Sequence, residues 1–264
     1  MSTSISSFDP SVPTSSPQIY IYICAVCVVL WCMVRFVNPY WITPYINAFY
    51  SLFCPDTSIF NTENIPSCKL LRENWITIRD EYREYTKHYG DRVRSFREVD
   101  PEQNGIDVSD IDWPVVFLRV YDNQTDLAEY FPKTSRLLSQ IPECSLVMFS
   151  VLQPGKRIPP HRGPYRGVLR YHLALETDPD NPDDCFIFID NQKYTWRAGQ
   201  DILFDDTYIH HVTNNTNTTR VVLFLDLKRT FNNPIADFLN TIVMYISRNN
   251  PTVTTIVNNT NDTH

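Results

Sequence analysis

From Val115 to Leu227 the chain is a succession of short apolar runs separated by turn signals: VVFLRVY, LVMFSVL, VLRYHLAL, CFIFID, KYTW, DILFD, YIHHV and RVVLFLDL. The runs are too short for core helices and rich in Val, Ile, Phe and Tyr, which suit a pleated, half-buried surface. Pro-Gly, Asn-Pro-Asp-Asp and Ala-Gly interrupt them, which reads as an antiparallel sandwich or barrel rather than a βαβ fold. The pattern predicts a mainly β fold, a double-stranded β-helix (jelly roll) with helices packed outside it.

The flanking helices are visible as period-3.6 patterns. Leu71, Trp75, Ile78, Tyr82 and Tyr85 recur at steps of four and three with charges between them, predicting one amphipathic helix over residues 69–87. Past Pro234, IADFLNTIVMYI reads as a terminal helix, and the polar tail from Asn249 reads as loose.

The N-terminal part divides by composition. Residues 1–17 are rich in Ser, Thr and Pro and predict a disordered tail. Ile19 to Val34 is uncharged and apolar; with Phe36 and Val37 it approaches the 17–25 residues that span a bilayer. This predicts a transmembrane helix over 18–37 and a single-pass membrane protein, with a cleaved signal peptide as the rival; no basic residue precedes the run. The side of the membrane is not fixed: Arg35 favours a cytoplasmic C-terminal domain, whereas N-x-T sites at Asn123, Asn214, Asn217, Asn258 and Asn261 suit a lumen. A membrane-proximal linker follows at 38–56, then the jelly-roll domain at 57–232 and a C-terminal helix and tail at 233–264.

A net charge of −7 gives no basic field for phosphates, so nucleic acid is excluded as a general partner. Seven cysteines form no disulfide framework, and the globular part has no CxxC zinc pattern. Cys144 and Cys185 read as buried packing residues.

Chemistry concentrates elsewhere. Of six histidines, four fall on or beside predicted strands: His161 after a Pro-Pro turn, then His172, His210 and His211. A rolled sheet can bring His161 and His210 together, and imidazole suits iron, zinc, copper or nickel. On spacing alone, two histidines each hydrogen-bonded in or near the core are the commoner case. Arg220 opens a nearly all-apolar strand and needs an anion partner. Arg170 lies two residues before His172, so both share a strand face. Arginines beside a histidine pair suit a dicarboxylate; salt bridges to Asp205, Asp206 or Glu176 are the alternative for them.

The runs FSVLQPGKRIPPHRGPYRGVLRYHLALE and FDDTYIHHVTNNTNTTRVVLFLDLKR, with the preceding IPSCKLLRENWITIRDEYREY, resemble the aspartyl/asparaginyl β-hydroxylase family over about residues 66–229. The resemblance implies an Fe(II)- and 2-oxoglutarate-dependent dioxygenase using O2. It implies His161 and His210 as metal ligands, with Gly163 standing where other dioxygenases place a carboxylate. It further implies Arg220 and Ser150 for the distal carboxylate of 2-oxoglutarate, and Arg170 with His172 for the carboxylate beside its keto group. His211, adjacent to His210 on a strand, should face outward; Asp205 and Asp206 should shape the turn before that strand.

The implied reaction is hydroxylation of a C–H bond in a protein Asp, Asn or Pro side chain. A lipid acyl chain is the alternative substrate, either one near a membrane. Two other classes are a catalytically silent membrane-anchored jelly-roll binding module and a cupin-like metal protein that works without 2-oxoglutarate, in which Arg220 has no clear role.

Overall fold

A computed structural model describes residues 42–261 apart from 102–104, 106 and 108. The helices are α1 (Thr43–Ser51), α2 (Pro66–Glu73), α3 (Trp75–Tyr89), α4 (Phe96–Val99), α5 (Pro132–Leu138), α6 (Pro234–Arg248) and α7 (Pro251–Asn261). The strands are β1 (Ile59–Phe60), β2 (Arg94–Ser95), β3 (Pro114–Val120), β4 (Asn123–Gln124), β5 (Cys144–Leu152) and β6 (Arg157–His161). They continue with β7 (Val168–Glu176), β8 (Cys185–Ile189), β9 (Gln192–Thr195), β10 (Asp201–Phe204), β11 (His210–Asn214) and β12 (Arg220–Lys228).

These strands make two antiparallel sheets. The larger runs β1-β10-β7-β12-β5-β3-β2 with β4 beside β3; the smaller runs β6-β11-β8-β9. All eight apolar runs read from the sequence appear as strands, and the mainly β jelly-roll architecture follows from their arrangement.

The strand period of two sorts each central strand into two faces. On β5, β7 and β12, the residues Phe149, Tyr171, Leu173, Leu223 and Leu225 face the helices, where they pack with Leu71, Ile78, Tyr82 and Phe131. Their neighbours Met148, Ala174, Val222 and Phe224 face the smaller sheet and pack with Ile158, Ile187, Trp196 and Val212. The second layer is the barrel interior. Ser150, His172 and Arg220 share the parity of this layer and are buried in it.

Four local features depart from the sequence reading. The single helix expected over 69–87 is two, broken at Asn74, whose backbone (φ −108°, ψ 14°) leaves the helical range and whose side chain donates to Leu70 O. The Pro-Pro segment at 159–160 is not a turn but part of β6. Two prolines are tolerated there because β6 is the edge of its sheet and pairs only with β11. The tail beyond Asn249 is ordered as α7, with Val253 and Ile256 buried in the interior layer. Within the expected linker, α1 buries Tyr50 completely against Phe231 and the ring of Tyr165; its Pro44 sits in the first turn, where a missing N–H costs nothing.

The Ala-Gly signal is a tight turn with Gly199 at φ +82°; a Cβ there would lie 2.8 Å from Trp75 Nε1. Glycine therefore lets the β9–β10 turn meet α3. The sequon asparagine Asn214 is fully buried, and its amide donates to the carbonyls of Leu152, Gln153 and Thr218. It closes a loop and is not an exposed acceptor in the folded chain.

The expectation of a transmembrane helix, and with it a single-pass membrane location, is corrected. No helix among the described residues is long and apolar enough to cross a membrane. The longest have 15 residues, about 22 Å at 1.5 Å per residue, against roughly 30 Å of hydrocarbon. The 18–37 run that carried the expectation, and the 1–17 tail before it, lie outside the described residues.

Candidate active site

His161 ends β6 and His210 opens β11, and the antiparallel register sets them directly opposite each other. Their ring centroids are 4.1 Å apart. His161 Nδ1 is 2.8 Å from Pro159 O and His210 Nδ1 is 2.9 Å from Tyr208 O. A carbonyl can only accept, so each Nδ1 carries the proton and each Nε2 keeps its lone pair. That is the tautomer a metal ligand needs, fixed by the backbone in the way ligating histidines are commonly fixed.

Both rings are neutral. Burial, then the neighbouring His161, push His210 down to about 3 against its bond to Tyr208 O. Burial likewise lowers His161, aided by the positive charge of Arg170.

A side chain at position 163 would have to displace the Asp206 carboxylate. A Cβ built on Gly163 would lie 1.9 Å from Asp206 Oδ2, and Gly163 N donates to Asp206 O at 2.7 Å. Among the described residues no group of three or more His, Cys, Asp or Glu is placed to hold a metal ion. A metal here would take the two imidazoles and leave its other positions to small molecules.

Three other residues singled out from the sequence, Ser150, His172 and Arg220, are buried in the interior layer. Arg220 is buried at 3% exposure without a salt-bridge carboxylate among the described residues; Nη1 donates to Ser150 O at 3.3 Å and Nε has no partner. Its guanidinium lies 4.5 Å over the Trp196 ring, and burial lowers its pKa to about 10. Ser150 Oγ accepts from Trp113 Nε1 at 3.0 Å.

His172 lies between Phe204 and Phe224, and neither ring nitrogen has a hydrogen-bond partner. Burial, then Arg220 and Arg170, hold it well below the usual imidazole range. A buried cation without a counter-ion and an unpaired buried imidazole are costly unless a ligand completes them. The donor set fits a dicarboxylate.

Arg170 is placed differently. Its Nε and Nη2 grip the Asp226 carboxylate at 2.9 and 3.1 Å, and Nη1 meets Asp206 Oδ2 at 2.8 Å. It lies beside the pair, as the sequence implied, but is already committed to two aspartates, which is the salt-bridge alternative. Asp206 is not merely a turn residue: burial pushes its carboxyl up to about 7 against the pull of Arg170. Asp205 does shape the turn, accepting from Thr207 N and Oγ1 at 3.0 and 2.6 Å. His211 faces away and stacks on Phe188 at 5.1 Å.

Two contributors were not singled out. Asp226 lies six residues after Arg220, an even step along one strand, and parity alone puts both in the interior. Trp113 lies in a stretch with no readable pattern; it is fixed by stacking on Phe96 at 4.4 Å and by its bond to Ser150. The loop before it is pinned by Lys156, a fully buried amine paired with Asp107.

A cavity of about 140 Å³ opens at His161 and Gly163. Its walls include Phe96, Trp113, Phe117, Met148, Phe224 and Ile256, and its charged lining is Arg162 and Arg170 against Asp100, Asp206 and Asp226.

Residues 72–230, more than half of the chain, match the family profile described as Aspartyl/Asparaginyl beta-hydroxylase. An ornithine lipid ester-linked acyl 2-hydroxylase of Rhizobium tropici is 32% identical over 190 residues, covering 72% of this chain and 66% of that protein. The human aspartyl/asparaginyl beta-hydroxylase is 32% identical over 101 residues, 36% of this chain and 13% of that protein. Among solved structures, a Pseudomonas putida prolyl-4-hydroxylase aligns over 72% of this chain and 100% of its own at 13% identity and a TM-score of 0.39. The chain belongs to the aspartyl/asparaginyl beta-hydroxylase family of hydroxylases.

Proposed function

We propose that this chain is an Fe(II)- and 2-oxoglutarate-dependent dioxygenase that hydroxylates a C–H bond in a lipid acyl chain. The observation that carries the reading is the His161–His210 pair, whose Nδ1 atoms are tied to carbonyls so that both Nε2 atoms are free for a metal. Iron held there with 2-oxoglutarate and oxygen would supply the oxidant for C–H hydroxylation.

The chain's own residues supply the rest. Arg220, short of a carboxylate partner, would take the distal carboxylate of 2-oxoglutarate as a charge-assisted fork, and Ser150 Oγ, oriented by Trp113, lies alongside. His172 would hold the carboxylate beside the keto group, its unpaired ring nitrogens gaining a partner. Arg170, held by Asp206 and Asp226, positions those carboxylates beside the metal pair. Phe224 and Trp196 keep this layer dry, which strengthens each ionic contact.

The cavity supports an acyl chain as the substrate class. Its aromatic and aliphatic walls suit a hydrocarbon. The named activity of the rhizobial relative is an acyl hydroxylation.

The test is succinate formation by the full chain with Fe(II), ascorbate and 2-oxoglutarate, with acyl lipids or Asp-, Asn- and Pro-containing peptides added. Lipid-stimulated turnover with an oxygen atom in the acyl product is expected. Stimulation by peptides alone would overturn the substrate assignment, and absence of 2-oxoglutarate binding would overturn the whole reading.

A further inference from the structure

Residues beyond 230 fall outside the family match, yet α7 forms part of the wall of the cavity that opens at His161. Ile256 lines it, beside Phe96 of α4 and Phe117 of β3. With Val253, Ile256 is buried in the interior layer that also holds Phe224 and Trp196.

The wall is fixed by more than apolar contact. Asn259 Nδ2 donates to Glu98 O and Val99 O at 3.3 and 3.2 Å, which ties α7 to α4. Asn261 Oδ1 accepts from Asp126 N at 3.0 Å. At the joint between α6 and α7, Asn123 Nδ2 donates to Arg248 O at 3.0 Å. Side chains near the C-terminal end of α7 are thus bonded to the backbone of neighbouring elements, and the joint before its start is held as well, so Ile256 is presented by a rigid element.

We propose that Ile256 sets the length of acyl chain this enzyme accepts, with α7 as the wall against which the chain ends; this rests on the acyl-chain reading above. The space is limited: a cavity of about 150 Å³ holds a benzene-sized group, roughly six carbons, and this one is about 140 Å³. A hydrocarbon entering beside His161 has only that room, and Ile256 is part of the wall that bounds it. Each further methylene is worth about 0.8 kcal/mol if buried, about fourfold in affinity, and nothing if it is turned back. Ile256 therefore controls where the fourfold steps stop.

The test uses the metal-free full chain and a fluorescent polyene fatty acid as the reporter. Straight-chain fatty amides of increasing length displace it, and thermal unfolding is followed for every variant. Ile256→Ala should extend the rising part of the length series by about two methylenes, roughly tenfold or more at the longer lengths. Ile256→Trp should shorten it by a similar amount. Val257→Ala, a half-buried neighbour absent from the cavity wall, should leave the series unchanged. Should the large changes unfold the chain, Ile256→Val and Ile256→Phe give the same opposed shifts at smaller size.

Opposed shifts with an unmoved Val257→Ala series support the proposal. An unchanged length optimum in the Ile256 variants, or an equal shift in Val257→Ala, overturns it while the acyl reading stands. Failure of all fatty amides to bind, together with turnover of peptides, overturns the acyl reading and this inference with it.

Discussion

Asp206 occupies the space that a side chain at position 163 would need: a Cβ on Gly163 would stand 1.9 Å from Asp206 Oδ2. The carboxylate there is itself held by Arg170 at 2.8 Å, so it is not free to swing aside. A metal site with two histidines is in this sense built into the packing, and an added carboxylate at 163 has no place.

Gly163→Ala should therefore destabilise the metal-free chain by about 1–3 kcal/mol through overpacking. Combining it with Asp206→Ala should recover part of the loss, because the obstructing carboxylate is gone. Urea unfolding of the two single variants and the double variant checks this. Additive losses would mean the two residues do not meet.

Arg220 separates stability from binding. A buried guanidinium without a carboxylate partner costs more in desolvation than it returns. Arg220→Met should leave stability unchanged or raise it by up to about 4 kcal/mol in the absence of dicarboxylate, while 2-oxoglutarate binding is lost. Calorimetric titration and thermal unfolding on the same samples read the two effects. A variant that unfolds readily would show that the contacts of the arginine to Ser150 O and the Trp196 ring hold the fold.

The pH dependence has a defined sign. The folded-state pKa values of His161, His172 and His210 lie below their ordinary 6.5, so below pH 6.5 the unfolded chain binds protons that the folded chain refuses. Stability is full above pH 6.5 and falls as the pH drops, for His210 down to about 3. Each such histidine contributes a slope of at most about 1.4 kcal/mol per pH unit, reached where the unfolded chain is protonated and the folded chain is not. Asp206, raised to about 7 from 3.8, acts oppositely, since its stabilising proton is lost as the pH rises through 7. Three histidines outweigh one aspartate, so the metal-free chain should lose stability from pH 6.5 to 5. His172→Leu should flatten that slope by about one proton; an unchanged slope would place the titration elsewhere.

Lys156 should matter although it lies away from the histidines. Its buried amine answers Asp107, and Lys156→Met would leave that carboxylate to Arg97 alone at 3.3 Å. A loss of roughly 3–5 kcal/mol is expected, with most of it recovered in a Lys156→Met, Asp107→Leu double variant. Denaturant unfolding distinguishes this from a merely solvated lysine, whose removal would cost nothing.

Much of this site is written in strand parity. His172 and Arg170, or Ser150 and its neighbours Met148 and Leu152, could be assigned to one face because side chains alternate. What alternation does not carry is partner choice: Arg170 and Arg220 read alike in sequence, and only the fold gives one two aspartates and leaves the other none. The β6 strand was illegible because prolines argue against strands unless an edge is known. Helix α7 was illegible because its polar, Thr- and Asn-rich sequence hides two buried apolar residues, Val253 and Ile256.

The most direct measurement is titration of the full chain with Mn(II), an oxygen-stable stand-in for Fe(II), in the presence of 2-oxoglutarate, read as loss of the free-ion resonance. One ion per chain is expected. His161→Ala and His210→Ala should each weaken binding by more than about a hundredfold, beyond the 10–100-fold that losing a mere supporting partner costs, and His211→Ala should leave it nearly intact. Binding that survives in the His161→Ala, His210→Ala double variant, or an equal loss in His211→Ala, would contradict the account.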